Sequence, residues 1–204
     1  MMGRREMQRQ KRRTAMLRAA SRLFDKQGYA RTTFEEIADS SGVGVATVYK
    51  YFSSKQGLVT ALLEPDLQRI LASAQKVIDR LPTDPAKSMA ALLSCYGDLG
   101  GHHWASRELL QFTVFPGLGN EGLLTEFVRR AESETMRQIA ELLRRQKAAG
   151  RLRASLPVDD ATAVIFALLN QHFGTYLFDP DLSYASMFRR LSRRVQLVFT
   201  SWRA

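Results

Sequence analysis

Apolar residues recur every three or four positions along nearly the whole chain, a period that belongs to amphipathic helices rather than strands. The breaks fall where helices would end: Gly28, Gly42, Pro82 and Pro85, Gly100 and Gly101, Pro116 to Gly119, Gly150, Pro157 and Pro180. A first helix is expected from about Gln8 to Gln27, with Leu17, Ala20, Leu23 and Phe24 on one face and basic residues opposite, and residues 1–7 are expected to be disordered. Thr33-Phe34-Glu35-Glu36 has the form of a capping box and starts a second helix that ends near Ser40. A short third helix follows from about Gly44 to Tyr51, and Ser53 to Gln56 forms another capping box that starts a fourth. That fourth pattern runs through Leu58, Leu62, Ile70, Ala74, Val77 and Ile78. Pro65 removes a backbone donor within it, is expected to kink or split the helix, and marks the connection between domains. Further helices are expected at about 84–98, 103–115, 121–149, 159–178 and 183–203. The whole reads as all-α, with about nine helices: an N-terminal three-helix helix-turn-helix domain at 1–56 and a larger helical domain at 57–204.

Two helices that cross at close range need a small residue at the contact, a glycine in the turn and apolar residues on the meeting faces. Ala38, Gly42 four residues later, and Ile37, Val43, Val48 and Tyr51 meet that requirement. The same packing leaves Val45, Ala46, Thr47, Tyr49 and Lys50 on the outer face of the second helix, where a major-groove reader presents its side chains. With few polar groups there, base reading is expected to lean on thymine methyls and on DNA shape.

The stretch from Thr32 to Leu58 closely resembles the N-terminal domain of TetR-family (tetracycline-repressor-type) regulators. The resemblance is carried by Thr-Thr before Phe-Glu-Glu-Ile-Ala, then Gly-Val, then Thr-Val-Tyr-Lys-Tyr-Phe, then Ser-Lys followed two residues later by Gly-Leu. It implies a three-helix DNA-binding domain joined by a fourth helix to a regulatory domain whose last two helices pair across a dimer. By position it also implies that Thr33 and the helix it caps hold a phosphate, that Tyr49, Tyr51 and Lys55 contact the DNA backbone, and that Val45 to Thr47 face bases. Lys50 could do either. Gly44 stands where the family often has serine, and Val45 and Ala46 replace residues that are often polar or glycine, so base preference is what these departures affect.

Charge fits a polyanion partner. The net charge is +10, and residues 1–60 hold 12 lysines and arginines against 5 acids while residues 61–204 hold 18 against 15. Neutralised phosphates release condensed counterions, so nucleic acid and anionic membrane both qualify on charge alone. The run Arg4, Arg5, Arg9, Lys11, Arg12 and Arg13 reads either as a basic arm reaching an adjacent groove or as a solubilising tail. No apolar segment follows it as in a signal peptide, and the longest apolar run, Ala163 to Leu169, falls far short of the ~20 residues of a membrane span. A cytoplasmic protein without membrane association is expected. The single cysteine, Cys95, forms no intrachain disulfide and reads as a small core residue. His102, His103 and His172 do not form a convergent ligand set, and no nucleophile-base pair or phosphate loop appears. No metal, no cofactor and no enzymatic activity are therefore expected.

A single recognition helix cannot read a palindrome, so homodimerisation is required mechanistically. Val164 and Leu168, with Ile165 and Leu169, make one late helix too apolar for an exposed face, and Met187, Leu191, Val195 and Val198 repeat every three or four residues on the next. These are the expected dimer interface, with Arg189, Arg190, Arg193 and Arg194 as a solvated rim. Regulators of the resembled family usually hold a small molecule in the second domain. Tyr96, Trp104, Phe112, Phe115, Phe127, Phe166, Asn170 and Phe173 are the candidate lining of such a pocket. The functional expectation is a repressor on a palindromic operator in double-stranded DNA, released when an unidentified effector shifts the dimer to a state with wrongly spaced recognition helices. A non-specific architectural DNA binder and a membrane-surface protein are the rival readings.

Overall fold

The computed structural model describes residues 3–97 and 123–204. It contains α1 (Arg4–Gln27), α2 (Phe34–Ser41), α3 (Val45–Tyr51), α4 (Lys55–Arg80), α5 (Pro85–Gly97), α6 (Leu123–Ala148), α7 (Val158–Phe178) and α8 (Tyr184–Thr200). The fold is all-α, and an isolated antiparallel bridge between Leu152 and Arg203 is the sole extended pairing among the described residues. The expected helix at 103–115 lies outside them. Packing divides the described chain into two compact units, residues 3–65 with 123–128, and residues 66–97 with 129–204.

In the first unit α1 begins at Arg4, ahead of the expected start at Gln8. Arg, Met and Gln are good helix formers and nothing between Gly3 and Gln8 stops the propagation. Its fully buried positions are Met16, Ala19, Ala20 and Phe24, while Leu17 and Leu23 are half-buried. Gly28 ends α1 at φ 82°, ψ 161°, a backbone state open essentially to glycine alone.

Local chemistry sets the ends of α2. Thr33 accepts from the Glu36 N–H at 3.2 Å while the Glu36 carboxylate accepts from the Thr33 N–H at 2.9 Å, so the expected capping box forms. At the other end Gly42 is left-handed, its N–H reaching the Asp39 carbonyl at 3.3 Å and the next N–H, of Val43, reaching Ala38 at 3.1 Å. This is a Schellman motif, and it forces the chain to turn before α3. α4 is capped by Ser54, whose hydroxyl accepts from the Gly57 N–H at 3.1 Å, one residue later than the cap expected at Ser53. Pro65 does not split α4, which runs on to Arg80. A proline removes one donor, here the partner of the Ala61 carbonyl, and strong helix formers on both sides keep the rest of the ladder.

The second unit has one core, built from Ala74 and Ile78 of α4, Met89, Leu92 and Leu93 of α5, Ile139, Leu142 and Leu143 of α6, Ile165 and Leu169 of α7, and Leu191, Val195 and Phe199 of α8. Cys95 packs half-buried against it, and its thiol faces the Ala91 carbonyl at 3.4 Å. Between α4 and α5 the chain turns through Leu81 at φ 42°. Arg151 Nη1 donates to the Leu81 and Pro82 carbonyls at 3.2 and 3.0 Å, and Gln146 Nε2 donates to the Pro82 carbonyl at 2.9 Å, which fixes that strained turn.

Candidate nucleic-acid interface

The helix-turn-helix is α2, the Gly42 turn and α3. Ile37, Ala38 and Val48 are fully buried, Val43 and Tyr51 are half-buried, and Phe34 meets Tyr49 edge-on with ring centroids 4.7 Å apart. Seven residues are too few for α3 to persist alone, so its orientation comes from this packing. What remains outside is Val45 at 37% exposure, Ala46, Tyr49 at 54% and Lys50, with Thr47 half-exposed. Thr33 is exposed at the start of α2, where its hydroxyl accepts from the Glu36 N–H.

Two residues expected to contact the DNA backbone are held by the protein itself. The Lys55 ammonium sits 4.2 Å from the centroid of the Tyr29 ring and 3.3 Å from the Ala30 carbonyl. Partial burial lowers its pKa from the ordinary lysine value, and the Glu36 carboxylate opposes the shift. The Tyr51 hydroxyl donates to the Arg9 carbonyl at 3.4 Å, linking α3 to α1. That link opens onto a groove of about 650 Å³, lined by Arg5, Gln8, Arg9 and Arg12 of α1 and by Thr47, Lys50 and Tyr51 of α3. Residues 4–7, expected to be disordered, are helical, and Arg5 among them lines this groove. The spacing of Arg5, Gln8, Arg9 and Arg12, three and four residues apart, is the signal that places them on one helical face. Arg13 points elsewhere, its guanidinium 5.8 Å from the Phe52 ring centroid.

A family model for bacterial regulatory proteins of the tetR family matches residues 16–62, which contain this helix-turn-helix entire. Over these residues the chain is similar to the TetR family. The transcriptional activator FasR of Mycolicibacterium smegmatis is 32% identical over 46% of this chain and 42% of its own length. The transcriptional repressor KstR2 of the same organism is 26% identical over 72% of this chain and 71% of its own. The chain thus spans less than half the length of the first curated relatives it matches. In fold, SmeT, the repressor of the Stenotrophomonas maltophilia multidrug efflux pump SmeDEF, superposes with a TM-score of 0.70 over 94% of this chain and 90% of its own, at 18% identity.

Of the expected pocket residues, only some fall among the described residues. Trp104, Phe112 and Phe115 lie outside the described residues, as do His102 and His103. Phe166 packs against the core, Phe173 stands 6.2 Å from Tyr176, and Asn170 is exposed rather than lining an interior. Phe127, in the first unit, is buried. Tyr96 donates to Gln138 Oε1 at 2.9 Å, and burial pushes its hydroxyl well above the ordinary tyrosine range, so it remains a donor. Gln138 in turn donates to the Leu71 carbonyl at 2.9 Å, so one buried amide joins α4, α5 and α6. Beside it lies a groove of about 360 Å³ whose lining includes Gln68, Gln75, Arg130, Arg137 and Gln138.

The expected dimer residues also divide. Val164 is 44% exposed and Leu168 and Val198 are half-buried, but Met187, Leu191 and Val195 are buried inside this chain. Leu191, Val195 and Phe199 of that α8 face belong to the chain's own core. His172, buried on α7, has Nδ1 at 2.7 Å from the Leu168 carbonyl and Nε2 at 2.9 Å from Arg194 Nη1. A carbonyl only accepts and a guanidinium only donates, so the ring is neutral with its proton on Nδ1. Among the described residues no three His, Cys, Asp or Glu side chains cluster as metal ligands, and no helix is long and apolar enough to cross a membrane.

Proposed function

We propose that the chain is a cytoplasmic, homodimeric, sequence-specific transcriptional repressor that binds a palindromic operator and leaves it when a small molecule binds its second domain. The observation that carries this reading is the outer surface of α3, where Val45, Ala46, Tyr49 and Lys50 stand exposed on a helix fixed from behind by Ile37, Ala38 and Val48. In this reading Val45, Ala46 and Thr47 meet base edges, Tyr49, Lys50 and Tyr51 meet the backbone, and Thr33 with the start of α2 holds a phosphate. Lys55 acts first as a brace for the Tyr29 loop. The DNA-binding domain is residues 1–56, and residues 57–204 sense the effector and dimerise.

Dimerisation is supported by exposed apolar residues on the last two helices, Val164 at 44% and Leu197 at 70%. Effector binding is supported by the polar groove beside Gln138. α4 contributes residues to both units and is the covalent path for coupling. Repression is preferred over activation because the repressor KstR2 is matched over 72% of this chain and the activator FasR over 46%. No catalytic role is assigned. The test is selection of duplexes from a random library with the full chain, followed by affinity for the enriched and scrambled sequences at one salt concentration. An enriched palindrome with a specificity ratio of roughly 10³ or more supports the regulator; equal affinity for scrambled DNA supports an architectural binder instead.

A further inference from the structure

We infer that the N-terminal turns of α1 form, with α3, a single clamp for the DNA backbone, so that Arg5, Arg9 and Arg12 neutralise phosphates beside the half-site that α3 reads. This rests on the operator-binding reading and adds to it a second element and a defined charge count. Three observations carry it. Arg5, Arg9 and Arg12 share one face of α1 and line a groove of about 650 Å³ whose other wall includes Lys50. No acid lines that groove, and Glu6 is the sole acidic residue of α1 before Asp25. The Tyr51 hydroxyl on the Arg9 carbonyl, at 3.4 Å, ties the two walls together, so the arginines are placed relative to α3 and not by a free tail.

Folding alone gives no reason for this arrangement. Arg4 and Arg5 occupy the first turn of α1, where the helix dipole is positive and cations are unfavourable, and Gly3 offers no side-chain cap. An anion in the groove offsets both costs. Seven residues separate Arg5 from Arg12, roughly 10 Å of helix, which matches about three base-pair steps at 3.4 Å each on one strand. Double-stranded DNA is favoured over a membrane surface because the second wall is α3, whose exposed Val45, Ala46 and Tyr49 form no continuous basic face.

The test uses the full chain, the duplex enriched by selection and a scrambled duplex, with affinity measured between 50 and 200 mM salt. The triple variant Arg5→Gln, Arg9→Gln, Arg12→Gln is compared with a control, Arg80→Gln, Arg129→Gln, Arg153→Gln, which removes the same charge from exposed positions of the second unit. Gln matches Arg in helix propensity, and circular dichroism verifies that helicity is kept. The expected result is a salt slope reduced by about 2 to 3 for the first variant on both duplexes, since each phosphate contributes about 0.9. The wild type then loses about 40-fold more affinity across that salt range than the variant, and the selected sequence is unchanged. A slope equal to that of the control overturns the clamp while an enriched palindrome leaves the regulator standing. If the wild type enriches no palindrome, both readings fall. Loss of binding to vesicles of anionic lipid, with the duplex slope unmoved, overturns the clamp in favour of a membrane surface.

Discussion

Glu36 illustrates how one side chain sets a local geometry. Its carboxylate accepts from the Thr33 N–H at 2.9 Å and from Gln27 Nε2 at 2.8 Å, tying the end of α1 to the start of α2. The Gln27 hydrogen bond, then that of the Thr33 backbone, holds its pKa below the ordinary carboxylate value of 4.5. A lowered pKa means that the folded state binds its proton later than the unfolded state. The stabilisation is therefore full above the unfolded value and is lost as pH falls through the folded one. Glu36→Gln keeps a capping side chain without a charge, so the stability gap between wild type and variant, followed by urea unfolding, is expected to stay constant above about pH 5 and to close below it. Backbone conformation separates the glycines of the same region. Gly42→Ala places a side chain in the left-handed region with open space around it, at a cost of about 1 kcal/mol. Gly28→Ala costs more, because φ 82°, ψ 161° is open to glycine almost alone. Gly44, at φ −72° and ψ 146° with no Cβ neighbour within 4 Å, is different: Gly44→Ser supplies the missing cap of α3 and is expected to raise stability by about 0.5–1 kcal/mol.

At the scale of elements, Gln138 holds three helices through one amide. Removing either partner leaves the other short of a hydrogen bond, because Gln138 is buried and Tyr96 half-buried. Gln138→Ala is expected to cost about 2–3 kcal/mol and Tyr96→Phe about 1. The double variant should cost less than their sum, and a double-mutant cycle from urea midpoints that comes out additive would remove the bridge from the account. The helices themselves were legible in the sequence because their signals are local: the Thr33–Glu36 box, Gly28 and Gly42 each act within one turn. The bridge was not. Gln138 sits 67 residues from Leu71 and 42 from Tyr96, and nothing along the chain distinguishes it from the exposed polar positions around it. The groove between α1 and α3 falls between these cases, since the arginine spacing is local but its second wall is set by tertiary packing.

The arrangement of the whole molecule turns on which face of an apolar helix is already used. Periodicity on α8 reveals a stripe, Met187, Leu191, Val195 and Val198, without saying whether it meets its own chain or a second copy; Leu191 and Val195 belong to the core of the second unit, Val198 packs against it, and Met187 is buried as well. What α7 and α8 leave uncovered is sparser: Phe178 at the end of α7, and Val164 and Leu197, on helix faces that also carry Ala163, Ala167 and the arginines Arg190 and Arg193. Small residues with a few apolar anchors allow helices of two copies to approach closely, so the two faces make opposite predictions. Leu191→Ala removes packing inside one chain and is expected to cost about 2–5 kcal/mol of folding stability. Leu197→Lys alters a residue 70% exposed, so the melting behaviour of the separated chain should change little, while the dimer should weaken by an order of magnitude or more in sedimentation equilibrium. Lysine is the informative choice: a carboxylate at that position could find an arginine across the two-fold, whereas an added cation meets only like charge and a lost apolar contact. Binding to one half-site should then persist while cooperative binding to the palindrome is lost. An unchanged dimer in Leu197→Lys, and again in Val164→Lys, would move the interface away from the outer faces of α7 and α8, and with it the spacing of the two recognition helices.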